Sequence, residues 1–212
     1  MDFLYKIFRF FLLPLILLAN FLQNNLASIF TPMNMGPVSE DSYSLYIRKN
    51  IKNKNFVLDF GSGAGFFSKL FKPNKYLGVE INKNFVDVSR KKNKKYKYRV
   101  IENDYLKNYE NKIDLIFINN VLHHLTDKQI LETFSFFSKK LKKKTEVFII
   151  EPLLPKKFFS LEFIMKVMDI GNNIKNKRNY LGLFKKIINI NNYKIKKLEI
   201  GSVLVVKGYI KK

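Results

Sequence analysis

The chain has 212 residues, 47% hydrophobic and 26% charged, which fits one medium-sized domain with a short appendage and excludes wholesale disorder. It contains no cysteine, which excludes a disulfide-stapled secreted module, cysteine-ligated zinc or iron–sulfur, and thiol catalysis. Its two histidines leave little for a histidine-built site, so we expect no metal centre.

The net charge of +22 stands out from the rest of the composition. A charge of this size attracts nucleic acid or an anionic membrane surface. The lysines are nevertheless scattered over many segments, and the equally abundant Asn, Ile and Phe share A/T-rich codons with them. We therefore favour compositional drift as the main cause, which still leaves room for a basic face.

Residues 1–30 form an apolar lead segment with Lys6 and Arg9 near its start. The unbroken apolar run Phe10–Ala19 is too short to span a bilayer by itself. At the helical repeat, the two basic residues and the polar residues near the end share one narrow stripe, and the apolar side chains face elsewhere. This pattern predicts a helix in a membrane interface, with its basic residues toward lipid headgroups.

Three alternatives stay open for this segment. A basic start, an apolar middle and small residues such as Ala27 and Ser28 are also typical of a signal peptide. A tilted spanning helix would require the polar stripe to be masked. A helix packed on the domain or on a dimer partner would use the apolar face for protein contacts.

Residues 31–50 are predicted to be a linker followed by a lid. Proline, glycine and small polar residues fill the first part, which argues against a regular element. Tyr43 and Tyr46 then begin a short helical pattern that ends near Asn50. Both tyrosines are candidates for covering a ligand or contacting a substrate.

The centre of the chain alternates buried strands with helices. Continuous apolar strands in such an alternation predict a parallel sheet covered on both faces. Thr126 and Gln129 have the spacing of a capping box at the start of a helix. The predicted strands cover 56–60, 76–80, 98–101, 113–118 and 147–150, and the predicted helices cover 66–71, 85–92 and 126–141.

The end of the chain differs from the centre. Residues 158–168 and 181–188 have helical patterns, and a polar, basic stretch separates them. Two closing strands are predicted at 193–198 and 203–206, with a turn at Gly201 and Ser202.

A glycine-rich loop joins the first strand to the next element, and Asp59 precedes it. Such a loop lets the backbone approach a ligand and points N–H groups at it. Its glycines occupy positions 61, 63 and 65, unlike the dinucleotide fingerprint that is shaped around a pyrophosphate. A carboxylate is awkward beside pyrophosphate and suits a ligand with positive charge and no phosphate, such as the sulfonium and ammonium of S-adenosylmethionine (SAM).

Three further marks follow in order along the chain. Glu80 ends the second strand, where an acid can accept hydrogen bonds from both hydroxyls of an adenosine ribose. Asp104 follows the third strand, where a carboxylate can meet the adenine amino group. The segment 114–125, Asp-Leu-Ile-Phe-Ile-Asn-Asn-Val-Leu-His-His-Leu, forms the fourth strand and its exit loop.

With these four motifs over 56–151, the sequence resembles the class I SAM-dependent methyltransferases. Within them it is most similar to the small-molecule and lipid branch that includes the ubiquinone and menaquinone methyltransferases. The resemblance implies a Rossmann-like α/β fold, whose mostly parallel seven-stranded sheet has helices on both faces and an antiparallel last strand. It divides the chain into an N-terminal apolar helix (1–30), a linker and lid (31–50) and a methyltransferase domain (51–212), with 152–192 on the acceptor side.

The resemblance also implies which residues bind SAM. The end of the first strand and the glycine loop would hold the methionine part, and the residues after the second and third strands would hold the ribose and the adenine. The exit of the fourth strand would line the methyl-transfer side. In chain order these residues are Asp59, Gly61, Ser62, Gly63, Gly65, Glu80, Ile81, Asp104, Tyr105, Asn119 and Leu122.

The candidate catalytic residues lie after the fourth and fifth strands. A general base is needed only if the acceptor atom bears a proton that must leave. His124, Glu151 and His123 are the candidates for this role or for substrate contact, although a Leu-His-His-Leu segment is also common in the family as a helix start. Arg178, which would suit an acidic head group, and Tyr180 are further candidates for the substrate side, with Tyr43 and Tyr46.

The exit loop of the fourth strand also argues against nucleic acid as the acceptor. Amino methylases of nucleic-acid bases carry an Asn/Asp-Pro-Pro-Tyr-like loop there, and this chain has Asn119-Asn120-Val121-Leu122 instead. We therefore predict an enzyme that methylates a lipid or other hydrophobic small molecule, located in the cytoplasm and peripherally on the inner membrane face. The alternatives are a soluble methyltransferase for a polar metabolite and a non-catalytic, SAM-binding membrane scaffold.

Overall fold

The computed structural model describes residues 2–25, 42–51, 54–155, 163, 166–167, 171, 173–198 and 201–212. The helices within these residues are α1 (Asp2–Asn25), α2 (Ser42–Ile51), α3 (Lys83–Lys92), α4 (Asp127–Lys140) and α5 (Lys177–Ile187). The strands are β1 (Val57–Phe60), β2 (Tyr76–Glu80), β3 (Lys97–Val100), β4 (Leu115–Asn119), β5 (Glu146–Pro152), β6 (Ile188–Leu198) and β7 (Gly201–Ile210).

The seven strands form one sheet in the order β3-β2-β1-β4-β5-β7-β6. β1 to β5 pair in parallel, and β7 is antiparallel to both β5 and β6. This arrangement confirms the predicted α/β fold with a mostly parallel sheet. Because the parallel strands run in one direction, the loops that follow β1, β2, β4 and β5 all lie at the carboxyl edge of the sheet, where open α/β folds bind ligands.

Alternate residues of the apolar strands pack on opposite faces of the sheet. Leu58 and Phe60 of β1 belong to a core that includes buried residues of α4 and α5. Val57 of the same strand belongs to the opposite core, with Ile47 of α2 and Phe117 of β4. Burial on both faces explains why these strands appear in the sequence as short continuous apolar runs.

Side-chain caps start three of the helices, and the predicted helices at 85–92 and 181–188 begin earlier than expected, at Lys83 and Lys177. Thr126 and Gln129 form the predicted capping box at the start of α4, with both reciprocal hydrogen bonds present. The Asn82 side chain accepts from the Asn84 N–H before α3, and the Asn176 side chain accepts from the Asn179 N–H before α5.

The structure corrects three local predictions. The element after the glycine loop is a 3₁₀ helix of five residues, Phe66–Leu70, in place of the helix expected at 66–71. The closing strands extend well beyond 193–198 and 203–206. Gly201 pairs with Leu198 and opens β7, so it does not form the turn. The predicted linker at 31–41, the small residues at 27 and 28 and most of the predicted helix 158–168 lie outside the described residues.

Helix α1 packs on the domain through the face that carries its arginine. Tyr5, Arg9 and Ile16 are buried, and the Arg9 guanidinium donates to the main-chain carbonyl of Val167 at 3.1 Å. The prediction that Arg9 points toward lipid headgroups is therefore wrong, because this side chain bonds to the protein. α1 also contacts α3, so it reaches from residues 166–167 across to the helix that follows β2.

The outward face of α1 is apolar. Its exposed side chains are Phe10, Phe11, Leu13, Leu15, Leu17, Leu18 and Phe21, and Phe11 is 75% exposed. No described helix meets the length and hydropathy required to cross a bilayer.

Candidate active site

The glycine loop after β1 combines a tight turn with a close contact and an open position. Gly61, Gly63 and Gly65 all have positive φ, between 51° and 76°. A Cβ on Gly61 would lie 2.4 Å from a methyl carbon of Val121, so glycine is required for the β4 exit loop to approach. A Cβ on Gly63 would meet nothing within 4 Å, so this part of the loop presents bare backbone to open space.

Glu80 connects the end of β2 to this loop. One carboxylate oxygen, Oε2, accepts from the Gly63 N–H at 3.0 Å. The other, Oε1, accepts from the Ile81 N–H at 2.7 Å and the Asn82 N–H at 3.0 Å. A carboxylate has about four lone-pair sites, so Glu80 is fixed in position and can still accept another hydrogen bond.

Asp59 lies beneath the loop at the end of β1 and is 4% exposed. One oxygen accepts from the Tyr76 hydroxyl at 2.7 Å. Burial raises the pKa of Asp59 to about 7, the Tyr76 hydrogen bond opposes this rise, and the negative charge of Glu80 adds to it. Because repulsion between two nearby carboxylates is relieved by a cation, this pair favours a positively charged ligand group.

Asn119 and Ser62 bring polar atoms without protein partners to the same edge. The Asn119 side-chain oxygen accepts from the Tyr43 hydroxyl, which places Tyr43 of α2 beside the end of β4. Among the described residues, the Asn119 Nδ2 and the Ser62 Oγ are buried without a hydrogen-bond partner. Buried polar atoms of this kind indicate a polar ligand or ordered water.

Glu151 is the polar centre of the β4 exit loop. It is fully buried, and Oε1 accepts from the N–H groups of Val121 and Leu122 at 2.8 and 2.7 Å. Oε2 lies 2.8 Å from the His123 Nδ1 and accepts from the His123 N–H at 3.2 Å. Through these four contacts Glu151 holds the β4 exit loop in position. The contacts do not place Glu151 against an open acceptor site.

The two histidines differ in access. His123 is 2% exposed, and its ring is held by Glu151. His124 is exposed, with its ring centroid 4.1 Å from that of His123. His124 is therefore the histidine of this pair that can reach a bound molecule, and its catalytic role remains a prediction.

The other predicted cofactor residues lie in different surroundings. Ile81 is 74% exposed beside Glu80, as an apolar contact for an adenine would require. The Leu122 side chain is fully buried in the core, so only its backbone can line the site. Asp104 lies 3.8 Å from Lys140 of α4, and Tyr105 stacks on Phe136 of the same helix. These contacts place Asp104 and Tyr105 beside α4, and their role in binding the adenine remains a prediction.

The four predicted substrate residues also lie in different parts of the structure. Tyr43 reaches Asn119 at the carboxyl edge, and Arg178 lines a cavity between α1, α4 and α5. The Tyr46 ring lies 6.5 Å from that of Phe148, in the middle of β5, and Tyr180 is fully buried and stacks on Phe184. The substrate-contact prediction for Tyr180 is therefore corrected, because its ring is fully buried, and the prediction for the half-buried Tyr46 stays a prediction.

Sequence reasoning missed Tyr76 and the lysines of the cavity. Tyr76 stays a phenol and donates to Asp59, because burial and the neighbouring Asp59 charge raise its pKa well above its ordinary value. The sequence does carry one signal for Tyr76. Gly78 lies opposite Asp59 in the pairing of β1 with β2, and because it has no side chain it leaves room for a large neighbouring side chain. Lys6, Lys175 and Lys186 line the cavity, but Lys6 is far from the other two in the sequence, and no spacing rule connects it to them.

Comparison with known proteins supports the cofactor assignment. Residues 58–146 match the family model of a methyltransferase domain. No curated protein sequence matches the chain.

Similar folds occur among solved structures. The PH0226 protein from Pyrococcus horikoshii is 16% identical with a TM-score of 0.61, over 87% of this chain and 99% of that one. The mitomycin 7-O-methyltransferase MmcR is 13% identical with a TM-score of 0.62, over 79% of this chain and 53% of that one. Human N-acetylserotonin methyltransferase, solved with SAM, is 15% identical with a TM-score of 0.59, over 80% of this chain and 51% of that one. This chain thus spans about half the length of the latter two proteins.

The domain match supports a methyltransferase that uses SAM as its cofactor, and the solved structures share its fold. The residues present fit that cofactor. The Asp59 and Glu80 carboxylates suit its cationic and hydroxyl groups, the open backbone at Gly63 allows close approach, and Ser62 and Asn119 carry buried polar atoms without protein partners among the described residues.

Proposed function

We propose that this SAM-dependent methyltransferase methylates a hydrophobic small molecule or lipid at the surface of an anionic membrane. The observation that carries the proposal is the position and surface of α1. The helix contacts α3 at one side and the segment at 166–167 at the other, and its outward face is a continuous set of exposed apolar side chains. A patch of this kind on a soluble surface is typical of a binding site for a partner or a membrane.

Charge supports a membrane over a protein as the occupant of this face. The chain carries a net charge of +22, and an anionic leaflet attracts basic proteins. Burial of apolar area and attraction to anionic lipids add to each other in interfacial helices. We propose the same location, the inner face of a membrane, as the place where the enzyme meets its acceptor, in keeping with the proposed lipid and quinone-precursor branch.

The chemistry requires little from the protein beyond binding and shielding. SAM, when bound, supplies a methyl group on a sulfonium, which is an excellent leaving group. Glu80 and the glycine loop bind and orient, Asp59 supplies negative charge beneath the loop, and Glu151 holds the β4 exit loop through its backbone N–H groups. Of the candidate bases, His124 is the exposed one and could take a proton from an acceptor that must lose it.

The test compares two triple variants that each change three exposed apolar side chains to Ser. In the first, Phe11, Leu15 and Leu18 on the outward face of α1 are changed to Ser. In the control, Leu45, Leu131 and Ile195, which are exposed elsewhere, are changed to Ser. The measurements are SAM binding by calorimetry, sedimentation with vesicles that contain an anionic phospholipid, and transfer of labelled methyl to a lipid extract.

We expect the α1 variant to lose vesicle binding and lipid methylation by at least about tenfold, with SAM binding unchanged, because each buried side chain contributes about 1.5–3 kcal/mol. The control should behave like the parent. Unchanged partition of the α1 variant would overturn the membrane proposal. Salt-sensitive retention on RNA by all three proteins, with no methylated lipid, would favour a nucleic-acid acceptor instead.

A further inference from the structure

A cavity of about 550 Å³ lies between the beginnings of α1 and α4 and one face of α5. Its lining carries four cationic side chains, Lys6, Lys175, Arg178 and Lys186, and the carboxylate of Asp127. A concave site with such an excess of one charge attracts ligands of the opposite sign.

The cations of this cavity are not equivalent. Lys175 is 13% exposed, lies 3.0 Å from Asp127 and donates to the Asn173 carbonyl at 3.1 Å, so its charge is already balanced. Arg178 and Lys186 are exposed, and within the described part of the chain neither has a carboxylate partner. Their charges are therefore available to a ligand.

A glycine lies between these two cations on the same face of α5. Arg178, Gly182 and Lys186 are spaced four residues apart, so they follow one another along the helix. A Cβ on Gly182 would meet nothing within 4 Å, and a glycine in a helix interior costs about 0.5–1 kcal/mol relative to alanine. The helix surface between the Arg178 guanidinium and the Lys186 ammonium is therefore open.

The cavity adjoins the methyl-transfer side of the enzyme. Asn173 in its wall donates its N–H to the His123 carbonyl at 2.8 Å, which joins the wall to the β4 exit loop. Val121 in that loop contacts the glycine loop at Gly61. On the other side, Lys6 in the cavity and the exposed Phe10 are one helical turn apart on α1.

We propose that this cavity binds the phosphate group of an amphiphilic acceptor, whose apolar part extends along the outward face of α1. A guanidinium matches phosphate with two parallel hydrogen bonds, and a lysine adds a point charge. The inference rests on the proposed function and deepens it, because it assigns the acceptor to phosphate-bearing amphiphiles. A lipid head group and free inorganic phosphate share this chemistry, and the experiment distinguishes them.

The test is calorimetric titration of the full chain with dihexanoyl phosphatidic acid, glycerol 3-phosphate and inorganic phosphate. The variants Arg178→Glu and Lys186→Glu should each lower affinity for the short-chain lipid by about tenfold or more. The matched control is Lys185→Glu, which makes the same charge change on the neighbouring exposed residue outside the cavity lining. We expect it to change affinity by less than about twofold, the effect of a screened surface charge.

A second variant tests the volume without changing charge. Gly182→Leu places a side chain into the cavity and should abolish lipid binding, while its unfolding midpoint stays at or above that of the parent because leucine favours the helix. Equal losses for Lys185→Glu and Lys186→Glu, or full binding by Gly182→Leu, would overturn the proposal. Inorganic phosphate that binds as tightly as the lipid would overturn its amphiphilic part.

The two proposals fail in different ways. If the α1 triple variant keeps its vesicle partition while Lys186→Glu loses the short-chain lipid, the membrane proposal fails and the cavity assignment stands. If the α1 variant loses partition while Lys186→Glu binds the lipid like the parent, the cavity assignment fails and the membrane proposal stands.

Discussion

The carboxyl edge of the sheet has two sides. The side that follows β1 and β2 holds its polar groups differently from the side that follows β5. On the first side, Glu80 accepts from three backbone N–H groups, and Asp59 accepts from Tyr76. All these partners lie between residues 59 and 82. Short connections therefore fix the cofactor side, and little rearrangement is needed when a ligand arrives.

On the acceptor side, long cationic side chains from segments far apart in the chain surround a cavity. Lys6 belongs to α1, Asp127 to α4, and Arg178 and Lys186 to α5. Lysine and arginine carry large side-chain entropy and reach their ligands from flexible stems. The side after β1 and β2 is therefore held by short local contacts, and the cavity depends on side chains that tertiary packing brings together.

Glu151 lies between the two sides, and its removal should have the largest effect. Glu151→Ala leaves three backbone N–H groups and the His123 ring without their acceptor, so we expect the free energy of unfolding to fall by about 3–5 kcal/mol in urea titrations. Glu146→Ala on the same strand is the control, and its part-exposed ion pair with Lys54 should cost about 0–1 kcal/mol.

The conservative variant distinguishes a positioning role from a catalytic one. Glu151→Gln keeps an oxygen for the loop N–H groups, so kcat should stay within about tenfold of the parent, and an altered KM for the acceptor would fit a shifted loop. A loss of kcat by about a thousandfold, with normal stability, would instead support the catalytic role predicted from the sequence.

The fold, and the grouping of Asp59, the glycines and Glu80 at one edge of the sheet, were predictable because their signals are local. Buried parallel strands appear as continuous apolar runs, and Asp59, the glycines and Glu80 occupy positions at strand ends that a linear sequence shows. The closing hairpin was underestimated for the opposite reason. Most of β6 is exposed and rich in asparagine and lysine, which carry a weak strand signal at a sheet edge.

The acceptor side was less predictable because it depends on tertiary packing. Arg178 and Tyr180 were both candidates for substrate contact, yet residues two apart on a helix point about 200° from each other. Arg178 accordingly lines the cavity and Tyr180 is buried. This difference could have been derived from the helical pattern of α5. The approach of Lys6 to Lys186 could not, because it requires the packing of the first helix on the last.

Glu80→Ala tests how much the hydrogen bonds of Glu80 contribute to SAM affinity on the cofactor side. We expect SAM affinity to fall by about 1.5–3 kcal/mol, or about 10- to 150-fold, because bonds to a charged acceptor are lost and Gly63 loses its anchor. Calorimetry measures the change. Glu102→Ala removes an exposed carboxylate after β3 and should leave the affinity unchanged. Equal affinities for the parent and Glu80→Ala would contradict the assignment of Glu80 to the cofactor.

We expect Asp59 to make the cofactor side sensitive to pH, and the described lining of the cavity contains no comparable buried acid. The pKa of Asp59 is raised to about 7, so the acid is largely protonated below that pH in the folded protein. A cationic ligand favours the ionised form. SAM affinity should therefore rise from about pH 6 to about pH 8, by at most about tenfold per pH unit.

The raised pKa of Asp59 has the opposite effect on folding stability, which falls as the pH rises. The ordinary pKa of an aspartate is 3.8, so the unfolded chain loses this proton first as the pH rises. The contribution of Asp59 to folding is present below about pH 4 and is lost as the pH approaches about 7. Asp59→Asn should flatten both profiles, and Asp87→Asn, which changes a half-exposed carboxylate on α3, should not. A parent protein whose SAM affinity is constant over this range would contradict the argument.

The smallest expected effect concerns the contact between α2 and the edge. Tyr43→Phe removes the hydroxyl that donates to the Asn119 side chain, so we expect SAM affinity to fall by about 0.5–1.5 kcal/mol, or about 2- to 12-fold. Tyr46→Phe is a close control, because it lies one turn away on the same helix and its hydroxyl has no partner among the described residues. If both variants weaken SAM equally, α2 acts through its packing on the sheet. If only Tyr43→Phe does so, this hydroxyl orients Asn119 at the junction of the cofactor side and the acceptor side.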